Sequence, residues 1–334
     1  MKNLFTAFFV LLVCHTSFAQ RPPVIDQQFL SHKEDSMKVF ANKIINGINS
    51  SDRLSADSTF TRMLMRALKS NNSFYYPFDS LETISHLYAP DSSFRIFTWQ
   101  LVINDNVIRQ HGAIQMRTAD GSLKRYFLID RSDVTTNLKD TVGNNLGWIG
   151  AVYYKLIQKK YNGRDYYTLL GYDEGNINSN RKIAEVMHFE NDEPIFGGRY
   201  FSYENDGPGI KTVNSRYIME YKKDAGPRLT YDRDLDMLVA EHLISESGEP
   251  NKRWTMVGDG DYEGFQWFNG RWVHVTKVFN YVTPQGQEPV PHPLKDNGGT
   301  LLDDKEEQKP NEEKPKPVVK QKTTPVKPKK KDGN

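Results

Sequence analysis

The sequence predicts a mainly β protein with an N-terminal α-helical segment, its antiparallel meanders and hairpins forming a barrel, a sandwich or an incomplete propeller-like assembly of sheets. Three observations predict it. Apolar residues recur at three- and four-residue spacing up to about residue 88, then give way to short runs rich in Tyr, Phe, Val, Ile, Thr and Trp. Clusters of Gly, Asn and Asp punctuate those runs. Asn162-Gly163 and Asn269-Gly270 tolerate the positive φ angles of tight hairpin turns, and strands joined by short hairpins pair antiparallel because parallel pairs need long crossovers.

The chain reads as four segments: 1–19, 20–88, 89–294 and 295–334. The first has the parts of a secretory signal peptide. Lys2 supplies the charge, Leu4 to Val13 a short apolar run, and Ser17-Phe18-Ala19 a small-residue site that predicts cleavage between Ala19 and Gln20. The run falls well short of the roughly 20 residues that cross a bilayer. Cys14 follows Val13, where lipoprotein processing requires Gly, Ala or Ser, so cleavage at Ala19 is the better fit. That cleavage removes the only cysteine, which leaves no disulfide and no thiolate ligand in the mature chain. The expected location is periplasmic or secreted.

Residues 20–88 read as helical. Met37, Phe40, Ile44 and Ile48 fall on one face of a first helix, and Phe60, Met63, Leu64, Ala67 and Leu68 on one face of a second. Ser55 or Asp57 is placed to cap the second, since either side chain can accept a free backbone N–H in the first turn. Leu81, Ile84 and Leu87 suggest a third, short helix from Ser80.

From residue 89 the pattern predicts strands at 94–103, 107–117, 124–129, 149–158, 165–172, 182–190, 195–203, 215–223, 236–243, 253–258, 263–268 and 271–279. Asn104-Asp105-Asn106 links the first two. Gly112-Ala113-Ile114 and Gly150-Ala151-Val152 echo each other 38 residues apart, near the period of a propeller blade. The tail from Lys295 is expected to be disordered. Its 302–334 stretch has five prolines and no aromatic residue, too little apolar surface to offset ordering entropy.

Charge narrows the partners. With Lys2 and the ten lysines and seven acids of 302–334 set aside, 33 basic residues face 35 acidic ones, so the body offers no electrostatic case for nucleic acid. The tail is blocky, with eight lysines after residue 313 against Asp332 alone. It is a solvated spacer in the first instance. Its sharper reading is weak contact with an anionic membrane or cell-wall surface.

Catalytic motifs are missing from the sequence. It has no Gly-x-Ser-x-Gly elbow, phosphate-cradling loop, dinucleotide fingerprint or His-Glu-x-x-His pair. Asp259, Asp261 and Glu263, alternating before Gly264, are the one candidate Ca²⁺ loop, though Gly270 stands where a bidentate Glu would complete it, and a hairpin approach has the same composition. Asp232, Asp234 and Asp236 read as solvent-facing carboxylates of a loop. His188 and His274 fall within strand patterns and read as packing residues. The aromatic residues raise sugar binding, because flat rings stack on pyranose faces. Tyr153, Tyr154, Tyr166, Tyr167, Trp267 and Trp272 are the candidates, set against core packing in an antiparallel sheet.

The segments 166–173 (Tyr-Tyr-Thr-Leu-Leu-Gly-Tyr-Asp), 94–99 (Phe-Arg-Ile-Phe-Thr-Trp), Gly264-Phe265-Gln266-Trp267 and Gly270-Arg271-Trp272-Val273 resemble those of a group of exported Bacteroidota proteins of no assigned activity. The resemblance covers roughly residues 80–280. It implies an exported β protein and brings no site residues. The expected function is a non-enzymatic binding or envelope-associated structural module, for which a concave aromatic cluster would be the mark. The alternative is a hydrolase of envelope or dietary polysaccharide, which needs two carboxylates converging in one cleft.

Overall fold

A computed structural model describes residues 25–104, 106–209, 212–279, 295–296 and 299–300. The predicted cleavage site at Ala19 and Gln20, Cys14 and most of the tail lie outside them.

Helix α1 (Gln27–Asn46) starts where Asp26 accepts the Phe29 N–H at 3.1 Å. It buries Leu30, Met37, Ala41 and Ile44. The chain leaves the helix at Gly47, so Ile48, expected on the apolar face, is 92% exposed. Helix α2 (Ser50–Leu68) buries Phe60, Leu64, Ala67 and Leu68 as expected. Its first turn lies further back than the expected caps Ser55 and Asp57, which are inside the helix, and Asn49 precedes it. The expected third helix does not form. Leu81 and Ile84 are buried in a turn, and Leu87 belongs to a strand and packs on the other side of a sheet. A spacing of three thus arose from two different elements.

The β region is three open sheets, none closed into a barrel. The first is the meander β1 (Ser85–Tyr88), β2 (Phe94–Asn104), β3 (Val107–Met116) and β4 (Lys124–Ile129). The middle sheet contains β5 (Gly143–Asn144), β6 (Val152–Tyr161), β7 (Arg164–Asp173), β8 (Ser179–Glu190) and β9 (Glu193–Phe196), in the order β5-β9-β8-β7-β6. The third contains β10 (Phe201–Ser202) and β11 (Val213–Asn214), then β13 (Leu229–Asp232), β14 (Met237–Ser245), β15 (Met256–Phe268) and β16 (Arg271–Val275). Between them in sequence, β12 (Arg216–Lys222) pairs with β8. Pairing is antiparallel except between β10 and β16. The expected strand 195–203 is broken by Gly197 and Gly198, both at positive φ. The short strands β17 (Lys295–Asp296) and β18 (Gly299–Thr300) pair with each other at the start of the tail, in a separate unit from residue 291. The Gly-Ala echo carries no repeat, because Gly112 sits within β3 whereas Gly150 precedes β6.

Three apolar layers join these parts. The helices pack on Phe97, Trp99 and Leu101 of β2. Phe94, Ile96 and Ile114 on the other face of that sheet meet Tyr153, Leu169, Ile183 and Met187 of the middle sheet. The far face of the middle sheet, with Leu170, Ala184 and Val186, meets Leu238, Phe265 and Trp272 of the third. Covered on both faces, the middle sheet shows an unbroken buried run from Tyr167 to Gly171 where a half-exposed strand would alternate.

The charged groups buried in these layers are hydrogen-bonded, while the buried Ser202 hydroxyl and the Asn180 side-chain oxygen have no partner among the described residues. Arg216 and Glu185, both buried, meet at 3.0 Å. The guanidinium also donates to the Leu138 and Thr141 carbonyls at 2.5 and 2.7 Å, and Tyr153 donates to Glu185. Arg95 is buried with no carboxylate beside it. It donates to Gln115, to the Tyr76 and Ser73 carbonyls and to the Tyr88 hydroxyl, among the rings of Phe74, Phe78 and Phe97. Burial pushes its pKa down to about 10, which leaves it charged at neutral pH.

Removing one partner of the Arg216–Glu185 pair strands a buried charge. Arg216→Met is expected to cost about 3–5 kcal/mol in urea unfolding, and the double variant Arg216→Met/Glu185→Leu to recover much of that loss. A single variant as stable as the parent would show that the pair is not held as described.

Candidate functional site

Two hairpins of the type read from sequence form the walls of a groove. Asn162-Gly163 joins β6 to β7 and Asn269-Gly270 joins β15 to β16, with all four residues at positive φ between 47° and 78°. The hairpins belong to different sheets, yet their tips touch. A Cβ on Gly270 would stand 2.5 Å from the Tyr161 ring, so glycine there serves both the turn and the close approach.

The groove has a volume of about 560 Å³, and its lining includes the rings of Tyr161, Tyr166, Tyr200 and Phe268. Phe268, the last residue of β15, is 62% exposed, and Tyr161 is also exposed. Tyr166 is half-buried, 5.5 Å from the Tyr200 ring and 5.8 Å from Trp267. Trp267 in turn lies edge-on to the buried Trp272, whose Nε1–H donates to Thr168 at 2.9 Å and ties the cluster to β7. The Trp272 backbone N–H donates to the Tyr200 carbonyl at 2.7 Å and fixes the loop that carries Tyr200. His188 packs against Tyr166 and Tyr200, and burial holds its imidazole below the ordinary histidine value. Arg199 and Arg271 line the groove with Glu204.

Of the six aromatic residues singled out from sequence, the structure brings Tyr166 and Trp267 to this cluster. Tyr153, Tyr167 and Trp272 are buried core residues, and Tyr154 is exposed on β6 with its hydroxyl donating to the Leu229 carbonyl. Tyr161, Tyr200 and Phe268 were not singled out. They are scattered along the chain, and only the meeting of two sheets assembles them.

The Ca²⁺ candidates are dispersed. Residues 259–261 form a bulge in β15 opposite His242, which explains a turn-like composition inside a strand. Asp259 accepts the Asp261 N–H at 3.0 Å and meets His242 Nδ1 at 2.8 Å. Asp261 lies near Lys277, at 4.0 Å. Glu263 accepts from Tyr217 at 2.7 Å and meets His274. Among the described residues no group of three or more His, Asp or Glu side chains is arranged to hold a metal. Asp232 is buried, not solvent-facing, because its carboxylate accepts the N–H groups of Asp234 and Leu235 and forms the β13–β14 turn. Asp234 and Asp236 are exposed; Asp236 accepts from Lys159 and Tyr231.

A second cleft, of about 500 Å³, lies between α2 and the first sheet and is lined by both Asp57 and Asp130. Its carboxylates are engaged. Asp130 accepts the backbone N–H groups of Gln110, Ser132 and Gly150, and Asp57 accepts Trp99 Nε1–H and meets His111 Nδ1, each at 2.8 Å. These bonds fasten the helix to the sheet.

No protein-family model, curated protein or solved structure matches this chain. The site therefore rests on geometry alone.

His274 is more than a packing residue. Nδ1 lies 2.7 Å from Asp206 and Nε2 3.2 Å from Glu263. Carboxylates only accept, so both ring nitrogens must carry protons, and the imidazolium is the form this environment favours. Burial opposes that charge, but the two carboxylates hold the imidazole above the ordinary histidine value; burial likewise opposes the Glu263 charge, and the hydrogen bonds from His274 and Tyr217 hold that carboxyl below the usual carboxylate range. The His274 contribution to stability is present below the unfolded imidazole value of about 6.5 and is lost as pH rises through the higher folded value. The Glu263 contribution is present above its unfolded value of about 4.3 and is lost as pH falls through the lower folded one. Urea midpoints of the parent relative to His274→Gln are therefore expected to narrow as pH rises above about 6.5. A gap that is constant from pH 5 to 9 would refute the assignment.

Proposed function

We propose that this protein is an exported, non-enzymatic binding module that holds a carbohydrate in the groove between the two hairpin tips. The observation that carries the reading is the concave set of Tyr161, Tyr166, Tyr200 and Phe268, with Phe268 largely exposed on a protein whose other aromatic residues mostly fill its core. A volume of about 560 Å³ falls in the range of sites that hold small ligands. Tyr166 and Tyr200, held edge-to-face against each other and against the tilted Trp267, which rests on the Trp272 fixed to Thr168, present apolar faces flanked by hydrogen-bonding groups, as a pyranose requires. The signal-like pattern of residues 1–19 supports the exported part of this reading.

The test is titration with a panel of neutral and acidic oligosaccharides, read by tryptophan fluorescence and calorimetry. At least one sugar is expected to bind and to perturb Trp267. Phe268→Ala is expected to weaken that binding tenfold or more, about 1.4 kcal/mol, with thermal stability unchanged because the ring is mostly exposed. Failure of the whole panel, or full binding by the variant, would overturn the reading.

A further inference from the structure

We propose that the groove selects sugars that carry carboxylates, the uronic acid units of an acidic polysaccharide; this rests on the carbohydrate-binding reading above. Elsewhere in the protein several partly buried arginines are engaged. Arg53 donates to the Gly47 and Val102 carbonyls, Arg95 to its polar cage, Arg109 to Asp133, Arg181 to Asp173 and Arg216 to Glu185. At the groove two guanidinium groups stand in solvent beside the rings. Arg199 and Arg271 line it, both are exposed, and neither forms an ion pair among the described residues. Glu204 is the one carboxylate in the lining.

A third guanidinium, Arg164, stands directly across the β6–β7 hairpin from Tyr161. Glu190 lies close enough to His188 and Tyr200 to act on both electrostatically, as Arg164 does with opposite sign, so these two flanking charges offset each other. The lining keeps an excess of positive charge beside exposed rings. A guanidinium presents N–H donors in a planar fork that matches a carboxylate at two points, and it is more weakly hydrated than an ammonium. A sugar stacked on Phe268 or Tyr166 would bring a ring carboxylate within reach of such a fork. Neutral pyranoses would use the rings and leave both arginines in water. The near-neutral body adds no long-range attraction for a polyanion, so selectivity is local to these side chains.

Hexagalacturonate and cellohexaose, titrated into the full chain by calorimetry, test this. The acidic hexasaccharide is expected to bind at least tenfold more tightly, with the difference shrinking as salt rises from about 0.05 to 0.5 M. The double variant Arg199→Ala/Arg271→Ala is expected to abolish the preference, so that it binds hexagalacturonate no more tightly than cellohexaose, with the melting temperature unchanged. Equal affinity of the parent for both sugars, or an undiminished preference in the double variant, would overturn the acidic assignment and leave the carbohydrate reading standing. Binding of neither sugar would overturn both. An oligothymidylate bound more tightly than hexagalacturonate would overturn the glycan assignment in favour of a nucleic acid strand.

Discussion

A sheet buried on both faces governs the rest of this architecture. The middle sheet has water on neither side, so β7 and β8 must supply apolar groups in both directions, and every polar group they carry inward needs a partner. Glu185 finds Arg216 and Tyr153, and Thr168 finds Trp272. The neighbouring layers then follow. The first sheet covers one face and needs the two helices on its own far side, and the third sheet covers the other. With one cysteine, near the start of the chain, this core has no disulfide to support it, and its stability rests on burial and on these paired charges.

Local features were legible in the sequence and assembled ones were not. Asn162-Gly163 and Asn269-Gly270 announce their turns because few residue pairs adopt two consecutive positive φ angles, a constraint confined to two residues. Helix faces were legible for the same reason, except at Ile48, where Gly47 stops the helix before the spacing does. Asp57 could be read as a cap because caps and buried acceptors share a residue type; what decides its role is Trp99, 42 residues away. The alternation of Asp259, Asp261 and Glu263 suggested a loop, and it was a bulge inside a long strand, with Asp259 turned to His242, Asp261 to Lys277 and Glu263 to His274.

The groove belongs wholly to that second class. Its hairpins are encoded locally, but their meeting depends on how the middle and third sheets stack, which no short window of sequence expresses. Tyr200 comes from a third place, the glycine-broken connection between β9 and β10. A site assembled at the edges of packed sheets is free to present exposed rings and unpaired cations because the core beneath it is already satisfied.

The contact of Gly270 with the Tyr161 ring has a thermodynamic side. Two tight turns with no spare residues, pressed together at a position without a side chain, have few alternative conformations to lose. Walls of this kind have little ordering entropy left to lose to a group that enters between them. The absence of a single methyl group at residue 270 thereby sets how closely the groove's walls approach.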